Sequence, residues 1–242
     1  MTQLFTLFFV FVSHAFAITV DEVLIHVDQN LTYETRESNL TMTVVKAGRT
    51  KSYTMHSYGR GQDEMAMEYL SPERDKGTKM LKKKDELWMW MPDIEKTQKI
   101  SGHMLRQGLM GSDMSYEDLM ESSSWRTKYT GVITSEPMLD GHKVWAIELK
   151  AKDSTVAYPK RLIWVDQTSF IPVKQELYAL SGMLLKTWVM TDIKPIEGKQ
   201  FPTKMIVEDK VQQGSRTEIT FDKVTFKVAL PEEVFTTRWL ER

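Results

Sequence analysis

Short segments in which apolar and polar residues alternate recur along the chain from Asn39 onward. Successive side chains of a β-strand point to opposite faces, so this alternation is typical of strands that bury one face. Ile219 and Phe221, for example, share one face while Glu218 lies on the other. Turn signals such as Asp140-Gly141 separate the segments. We therefore predict an up-and-down antiparallel sheet of about ten or eleven strands, which must curl because strand twist accumulates.

A helical pattern precedes the strands. From Val20 to Val27 apolar residues recur at the spacing i, i+3, i+4 and i+7, and Thr19 with Glu22 three residues later forms a capping signal. Such an amphipathic helix needs an apolar surface, which a curled sheet would offer. The sequence thus predicts a mainly β fold of the α+β kind, a half-open antiparallel barrel wrapped round this N-terminal helix and a short helical lid.

The stretch from Leu87 to Leu119 combines a strongly apolar strand with an irregular apolar segment. Five large apolar residues, LWMWM, begin it, so both faces of this strand must be covered, and their order does not show which face points inward. A segment rich in Met, Leu and Gly follows, and Asp113 or Ser115 can cap a short helix after it. This stretch is either the wall and lid of an apolar cavity or a core strand with a surface loop.

Methionine is unusually frequent, with sixteen residues. Its flexible thioether suits surfaces that accept apolar partners of different shapes, although core filling is the commoner use. The predicted lining of a lipid cavity is Met65, Met67, Tyr69, Leu87, Met89, Met91, Trp145, Ile147, Trp188, Met190, Met205, Val207, Ile219 and Phe221. The predicted lid residues are Met104, Leu105, Leu109, Met110 and Met114.

The first seventeen residues have the pattern of a secretory signal peptide. An apolar run from Leu4 to Val12 is followed by Ala15-Phe16-Ala17, which predicts cleavage after Ala17. No later stretch reaches the roughly eighteen apolar residues of a membrane span, so we expect no transmembrane segment in the mature chain. Residues 18–242 are predicted to be a single domain, exported to the periplasm in soluble form. The chain contains no Cys, so this domain must rest on its core alone.

Charge and motifs exclude several classes of function. Thirty-two basic and 33 acidic residues nearly balance, which argues against a nucleic-acid binder. The five histidines are scattered singly, and no thiol or G-x-S-x-G nucleophile occurs. Asp113, Glu117 and Asp118 could be paired acids for hydrolysis, but their place at a helix start already accounts for them. We therefore predict no catalytic, metal or cofactor site, and a protein that is not an enzyme.

A lysine-rich run lies at Thr78–Lys84. It is read here as a solvated edge strand protected against aggregation, or alternatively as a docking patch for an acidic partner or a lipid headgroup.

Four segments carry a family resemblance: LWMWMP, ISGHMLRQGLMGSDMSYEDL, LIWVDQTSFIPVKQELYALSGMLLKTW and FPTKMIV. Together they resemble the bacterial outer-membrane lipoprotein-sorting proteins of the LolA-like superfamily, over roughly Val20 to the C-terminus. The resemblance implies an unclosed β-barrel with helices as a lid over a hydrophobic cavity.

The function implied by this resemblance is that of a periplasmic carrier. It would bind acyl chains of lipoproteins or other lipids and hand them on towards the outer membrane. Its partners would be the acylated lipoprotein or lipid cargo, an inner-membrane transporter and an outer-membrane acceptor. The alternative is a non-catalytic accessory or lipid-sensing partner of an envelope transporter.

Overall fold

The computed structural model describes residues 18–121 and 125–242, so the predicted signal peptide and its cleavage site lie outside the described residues. The strands are β1 (Thr35–Lys46), β2 (Arg49–Arg60), β3 (Glu64–Ser71), β4 (Lys79–Lys83), β5 (Glu86–Met91), β6 (Lys96–Ile100), β7 (Tyr129–Ser135), β8 (Met138–Leu139), β9 (His142–Ala151), β10 (Lys160–Asp166), β11 (Pro172–Tyr178), β12 (Leu184–Ile196), β13 (Lys199–Asp209) and β14 (Arg216–Phe226). The α-helices are α1 (Val20–Leu31), α2 (Tyr116–Met120), α3 (Trp125–Lys128) and α4 (Thr237–Leu240), and short 3-10 helices lie at Pro92–Ile94, Gly102–Arg106, Leu109–Gly111 and Glu232–Phe235.

The strands form one antiparallel sheet that stays open. Its order runs from β6 back to β1, crosses to β14, and continues through β13, β12, β11, β10 and β9 to β7, with β8 paired only to β9. The edge strands β6 and β7 do not pair with each other. This confirms the predicted half-open antiparallel fold. The described residues hold fourteen strands, more than expected, because β8 has two residues and β6 (KTQKI) lacks apolar alternation.

Two apolar clusters cover the inner face of the sheet, which is the face that carries α1 and α2. The first lies on β1 to β6, under a segment that we call the 101–121 segment after its residues. The second lies between α1 and the strands β7, β9 and β10, where Val23, Leu24 and Val27 are buried. The capping box predicted for α1 is present, since the Thr19 and Glu22 side chains each accept from the other's backbone N–H.

The opposite face of β3 to β5 is covered by the C-terminal residues. Trp88 and Trp90 pack there against Val234, Phe235 and Leu240, while Leu87 and Met89 point to the inner face. The inward face of β5 is therefore the one that carries Leu87 and Met89. Among the described residues no helix has the length and apolar character required to cross a membrane.

The expectation that Thr78–Lys84 is a solvated edge strand is wrong. β4 lies between β3 and β5, and both Lys79 and Lys82 are buried. The Lys79 ammonium donates to the carbonyl oxygens of Trp239 at 3.2 Å and Arg242 at 2.6 Å. Lysine in a sequence suggests solvent because acceptors more than a hundred residues away cannot be seen there.

Candidate functional site

A cavity of about 330 Å³ remains between the two apolar clusters of the inner face. Small-molecule sites usually measure about 300–1,000 Å³, so this cavity lies at the small end of that range. A second cavity of about 160 Å³ adjoins it and shares Leu31, Asp118, Glu121 and Trp188 with its lining. The fold therefore leaves unfilled space on the face where the sequence predicts a lipid site.

Seven of the fourteen residues predicted to line a lipid cavity lie at these two spaces. Met65, Met67, Trp188, Met205, Ile219 and Phe221 line the larger cavity, and Met190 lines the smaller one. They come from β3, β12, β13 and β14. That they contact a lipid stays a prediction.

The other seven pack against protein. Tyr69, Leu87, Met89 and Met91 belong to the first cluster under the 101–121 segment, Trp145 and Ile147 contact the α1 cluster, and Val207 is fully buried. Strand periodicity identifies the inner face of the sheet, but it carries no information on which part of that face a helix will cover. The packing of these seven residues is therefore a matter of tertiary structure.

The predicted lid residues all lie in the 101–121 segment and face the first cluster. Leu109 and Met114 are buried, while Met104, Leu105 and Met110 are partly buried against it. Met114 also lines the cavity. The segment thus covers one half of the inner face, and its opening as a lid stays a prediction.

Hydrogen bonds anchor the middle of this segment. Ser115 caps α2 in a capping box with Asp118, one of the two caps that the sequence predicts. The Asp113 carboxylate instead accepts from the Thr217 hydroxyl of β14 at 2.6 Å, and the backbone N–H of Asp113 donates to the oxygen of that hydroxyl at 2.9 Å. Neither carboxylate needs a catalytic role to explain its position, because each satisfies backbone or hydroxyl donors.

Two ion pairs join the end of the 101–121 segment to the other half of the sheet. Asp118 pairs with Lys186 of β12, and Glu121 pairs with Arg161 of β10. Asp118 also accepts from the Tyr158 hydroxyl at 2.5 Å. Burial and the Asp118 charge raise the pKa of Tyr158, so this hydroxyl stays protonated and donates. We call the two ion pairs the latch, because they bridge the two halves across the cavity.

Sequence reasoning missed the cations of the cavity, although a signal for them exists. Arg36 has the same strand parity as Leu40 and Met42 of β1, and Lys82 has the same parity as Met80 of β4. Both cations line the larger cavity. Over residues 18–121 and 125–242, no group of three or more His, Asp or Glu side chains is placed to hold a metal ion.

Comparison with known families gives one match that covers most of the chain. A family model described as "uncharacterized protein" matches residues 61–242, well over half of the chain. No curated protein matches the sequence significantly.

Several solved structures have the same fold. A DUF1329 family protein from Desulfovibrio piger is 22% identical with a TM-score of 0.83, over 90% of this chain and 96% of that one. A candidate outer membrane lipoprotein-sorting protein domain from Vibrio parahaemolyticus is 22% identical with a TM-score of 0.82, over 93% and 98%. A LolA superfamily protein from Nitrosomonas europaea is 24% identical with a TM-score of 0.76, over 92% and 100%.

These likenesses confirm the fold implied by the sequence resemblance. The chain belongs to the family of uncharacterized proteins whose model it matches, and its fold is that of the LolA-like superfamily of outer-membrane lipoprotein-sorting proteins.

Proposed function

We propose that this protein is a non-catalytic periplasmic carrier that binds an acyl chain of a lipoprotein or another lipid and hands it on towards the outer membrane. The observation that carries the proposal is the unfilled cavity, whose walls include Met65, Met67, Met205 and Phe221, on the inner face of a LolA-like sheet. Flexible thioethers and an aromatic ring are suited to chains of variable shape. The carrier role implied by the neighbouring folds supports the same reading.

Burial of an acyl chain supplies ample affinity. Each methylene removed from water contributes about 0.8 kcal/mol, so fourteen carbons contribute on the order of 10 kcal/mol before ordering costs. A methylene group is about the size of a water molecule, which occupies roughly 30 Å³ in the liquid. A cavity of about 330 Å³ therefore holds on the order of ten carbons. A longer chain therefore requires movement of a wall.

The 101–121 segment is the wall that moves in this proposal. Met104, Leu105 and Met110 are only partly buried, so their displacement exposes less apolar surface than displacement of the sheet would. The latch holds the end of the segment, and release of cargo would follow its opening. Cargo would then pass to a partner with higher affinity.

The modest volume of the larger cavity is also compatible with the second candidate function, that of an accessory or lipid-sensing partner of an envelope transporter. A larger groove of about 640 Å³ lies elsewhere, between the β10–β11 turn and β12, and is lined by residues such as Asp140, His142, Val189 and Thr191. Such a surface is what an interaction protein would use. If this alternative holds, transporter binding should depend on the groove and be indifferent to the cavity.

The variant Gly59→Leu tests the carrier proposal. Gly59 lines the cavity, and a Cβ there would meet no heavy atom nearer than 3.8 Å, the nearest being an Arg36 guanidinium nitrogen. A Cβ therefore fits without a clash, and the rest of a leucine side chain would extend into the space proposed for cargo. Glycine in the interior of a strand weakens that strand, so replacing Gly59 by leucine should not prevent folding. We expect the variant to fold and to lose binding of a fluorescent ten-carbon acyl probe.

Ser52→Leu is the matched control, since it adds the same side chain to an exposed position of the same strand. It should bind the probe as the wild type does. Unchanged probe binding by a folded Gly59→Leu protein would rule out the cavity as the acyl site.

A further inference from the structure

The charges that line the larger cavity are unevenly paired. Its three carboxylates already have partners: Glu64 accepts from the Arg60 guanidinium at 2.6 Å, and Asp118 and Glu121 form the latch. A carboxylate with a close cation partner contributes little net field at a distance. The remaining charges of the lining are therefore two cations, Arg36 and Lys82.

Arg36 has no acceptor for its guanidinium among the described residues. Its Nε is buried without a hydrogen-bond partner. The neighbours that it does have are rings, with the Tyr33 and Phe221 centroids each 5.8 Å from its Cζ. On the side of Gly59, a Cβ would lie 3.8 Å from a guanidinium nitrogen of Arg36, in ordinary van der Waals contact. The aromatic faces compensate the charge only in part, because cation–π contacts weaken near 6 Å.

Lys82 is the second cation without a carboxylate. Its ammonium donates to the Gln62 carbonyl oxygen at 3.1 Å, and it forms no ion pair with any described residue. Its side chain belongs to the buried set. Burial lowers the pKa of both Lys82 and Arg36, although the charges of Asp63 and Glu121 oppose the shift at Lys82. Such an arrangement destabilises the empty protein.

We propose that the cavity takes an anionic amphiphile whose carboxylate or phosphate head group pairs with Arg36, with Lys82 as the second cation. The planar guanidinium fork matches either oxyanion, and the hydrocarbon tail would lie against Met65, Met67 and Trp188. This inference deepens the proposed function and rests on it, because it names the class of lipid that the cavity selects. An anion would satisfy the buried Nε and remove the unpaired charge.

Titration calorimetry with three ten-carbon probes tests the inference: decanoate, decyl phosphate and the neutral 1-decanol. Since a charge-assisted hydrogen bond at a buried site is expected to contribute about a tenfold difference or more, one or both anions should bind at least tenfold more tightly than the alcohol. Preference for decanoate would indicate a fatty-acid head, and preference for decyl phosphate a phosphorylated one. Either result supports the inference.

Variants assign the selectivity to its residue. Arg36→Met should bring the anions to within about threefold of the alcohol, while Arg36→Lys, which keeps the charge and loses the fork, should keep part of the preference. Arg216→Met, at an exposed arginine outside the cavity lining, removes the same charge as a control and should behave as the wild type. If Arg36→Met does not fold, Arg36→Lys and Lys82→Met carry the same comparison.

The outcomes separate this inference from the proposed function. Equal binding of decanol and both anions by the wild-type protein would overturn the inference and leave the acyl carrier standing. An anion preference that survives unchanged in Arg36→Met, or in both substitute variants, would also overturn it. Failure of all three probes to bind would instead remove the carrier proposal itself.

Discussion

The latch should stabilise the protein through direct coupling between Asp118 and Lys186. These side chains are 2% and 12% exposed, and 68 positions separate them in sequence. The perturbation is a double-mutant cycle with Asp118→Asn, Lys186→Met and the combined variant. Each single change breaks the pair, so the second change should cost less once the first is present.

The structure sets the size of each step. Asp118→Asn leaves the Lys186 ammonium nearly buried without its carboxylate, which typically costs about 3–5 kcal/mol. Lys186→Met leaves Asp118 with donors from Tyr158 and Ser115, so its cost should be smaller, about 2 kcal/mol. The combined variant should fall short of the sum by about 1–3 kcal/mol.

Urea denaturation gives the free energy of unfolding of the wild type and the three variants, and constant m-values check that unfolding is two-state. Lys99 and Glu86 form a matched control pair whose side chains are 50% and 49% exposed, so the same cycle there should give a coupling of about 0–1 kcal/mol. Additivity within about 0.5 kcal/mol for Asp118 and Lys186 would refute the latch as a stabilising contact.

Three further predictions follow from contacts of the same region. Thr217→Val removes the hydroxyl donor of buried Asp113, so unfolding free energy should fall by about 1–3 kcal/mol and amide exchange in residues 108–116 should accelerate; unchanged exchange there would contradict the anchor. Ser115→Ala removes the cap of α2 and should cost about 1 kcal/mol in urea unfolding, whereas no loss would mean that the cap is dispensable. Burial lowers the pKa of Lys82 from its ordinary 10.5, although Asp63 and Glu121 oppose the shift, so between the lowered pKa and 10.5 the unfolded chain binds more protons and stability rises with pH. Lys82→Met should therefore resist urea better than the wild type at pH 7, with an advantage that shrinks towards pH 10.5; an advantage independent of pH would disprove this origin.

Local patterns in the sequence were sufficient for much of the fold. Strand alternation identifies the inner face, as Ile219 and Phe221 show, and the caps at Thr19 and Ser115 lie where short-range spacing predicts them. These features depend on neighbours a few residues away, so they can be read from the chain directly. The polar strand β6 shows the limit of this reasoning, because its pairing with β5 depends on backbone hydrogen bonds and not on apolar periodicity.

The candidate site depends on contacts between residues distant in sequence, so the sequence alone predicts only part of it. Leu87 and Trp145 share the inner face with Met65, yet the first two are covered by the 101–121 segment and by the α1 cluster, and only Met65 reaches the cavity. Which part of a sheet a helix covers is decided by the packing of the whole chain. For Lys82, the parity shared with Met80 indicates the inner face, but nothing local in the sequence reveals that β4 lies inside the sheet.

In the proposed carrier, the hollow on the inner face receives a hydrocarbon chain from outside the protein. Native mass spectrometry of the protein isolated gently from its own cells, beside the Gly59→Leu variant, tests this most directly. The wild-type protein should carry the added mass of one acyl-bearing lipid, and the folded variant should lack it. A wild-type protein without any lipid adduct, or the same adduct on both proteins, would contradict the proposal.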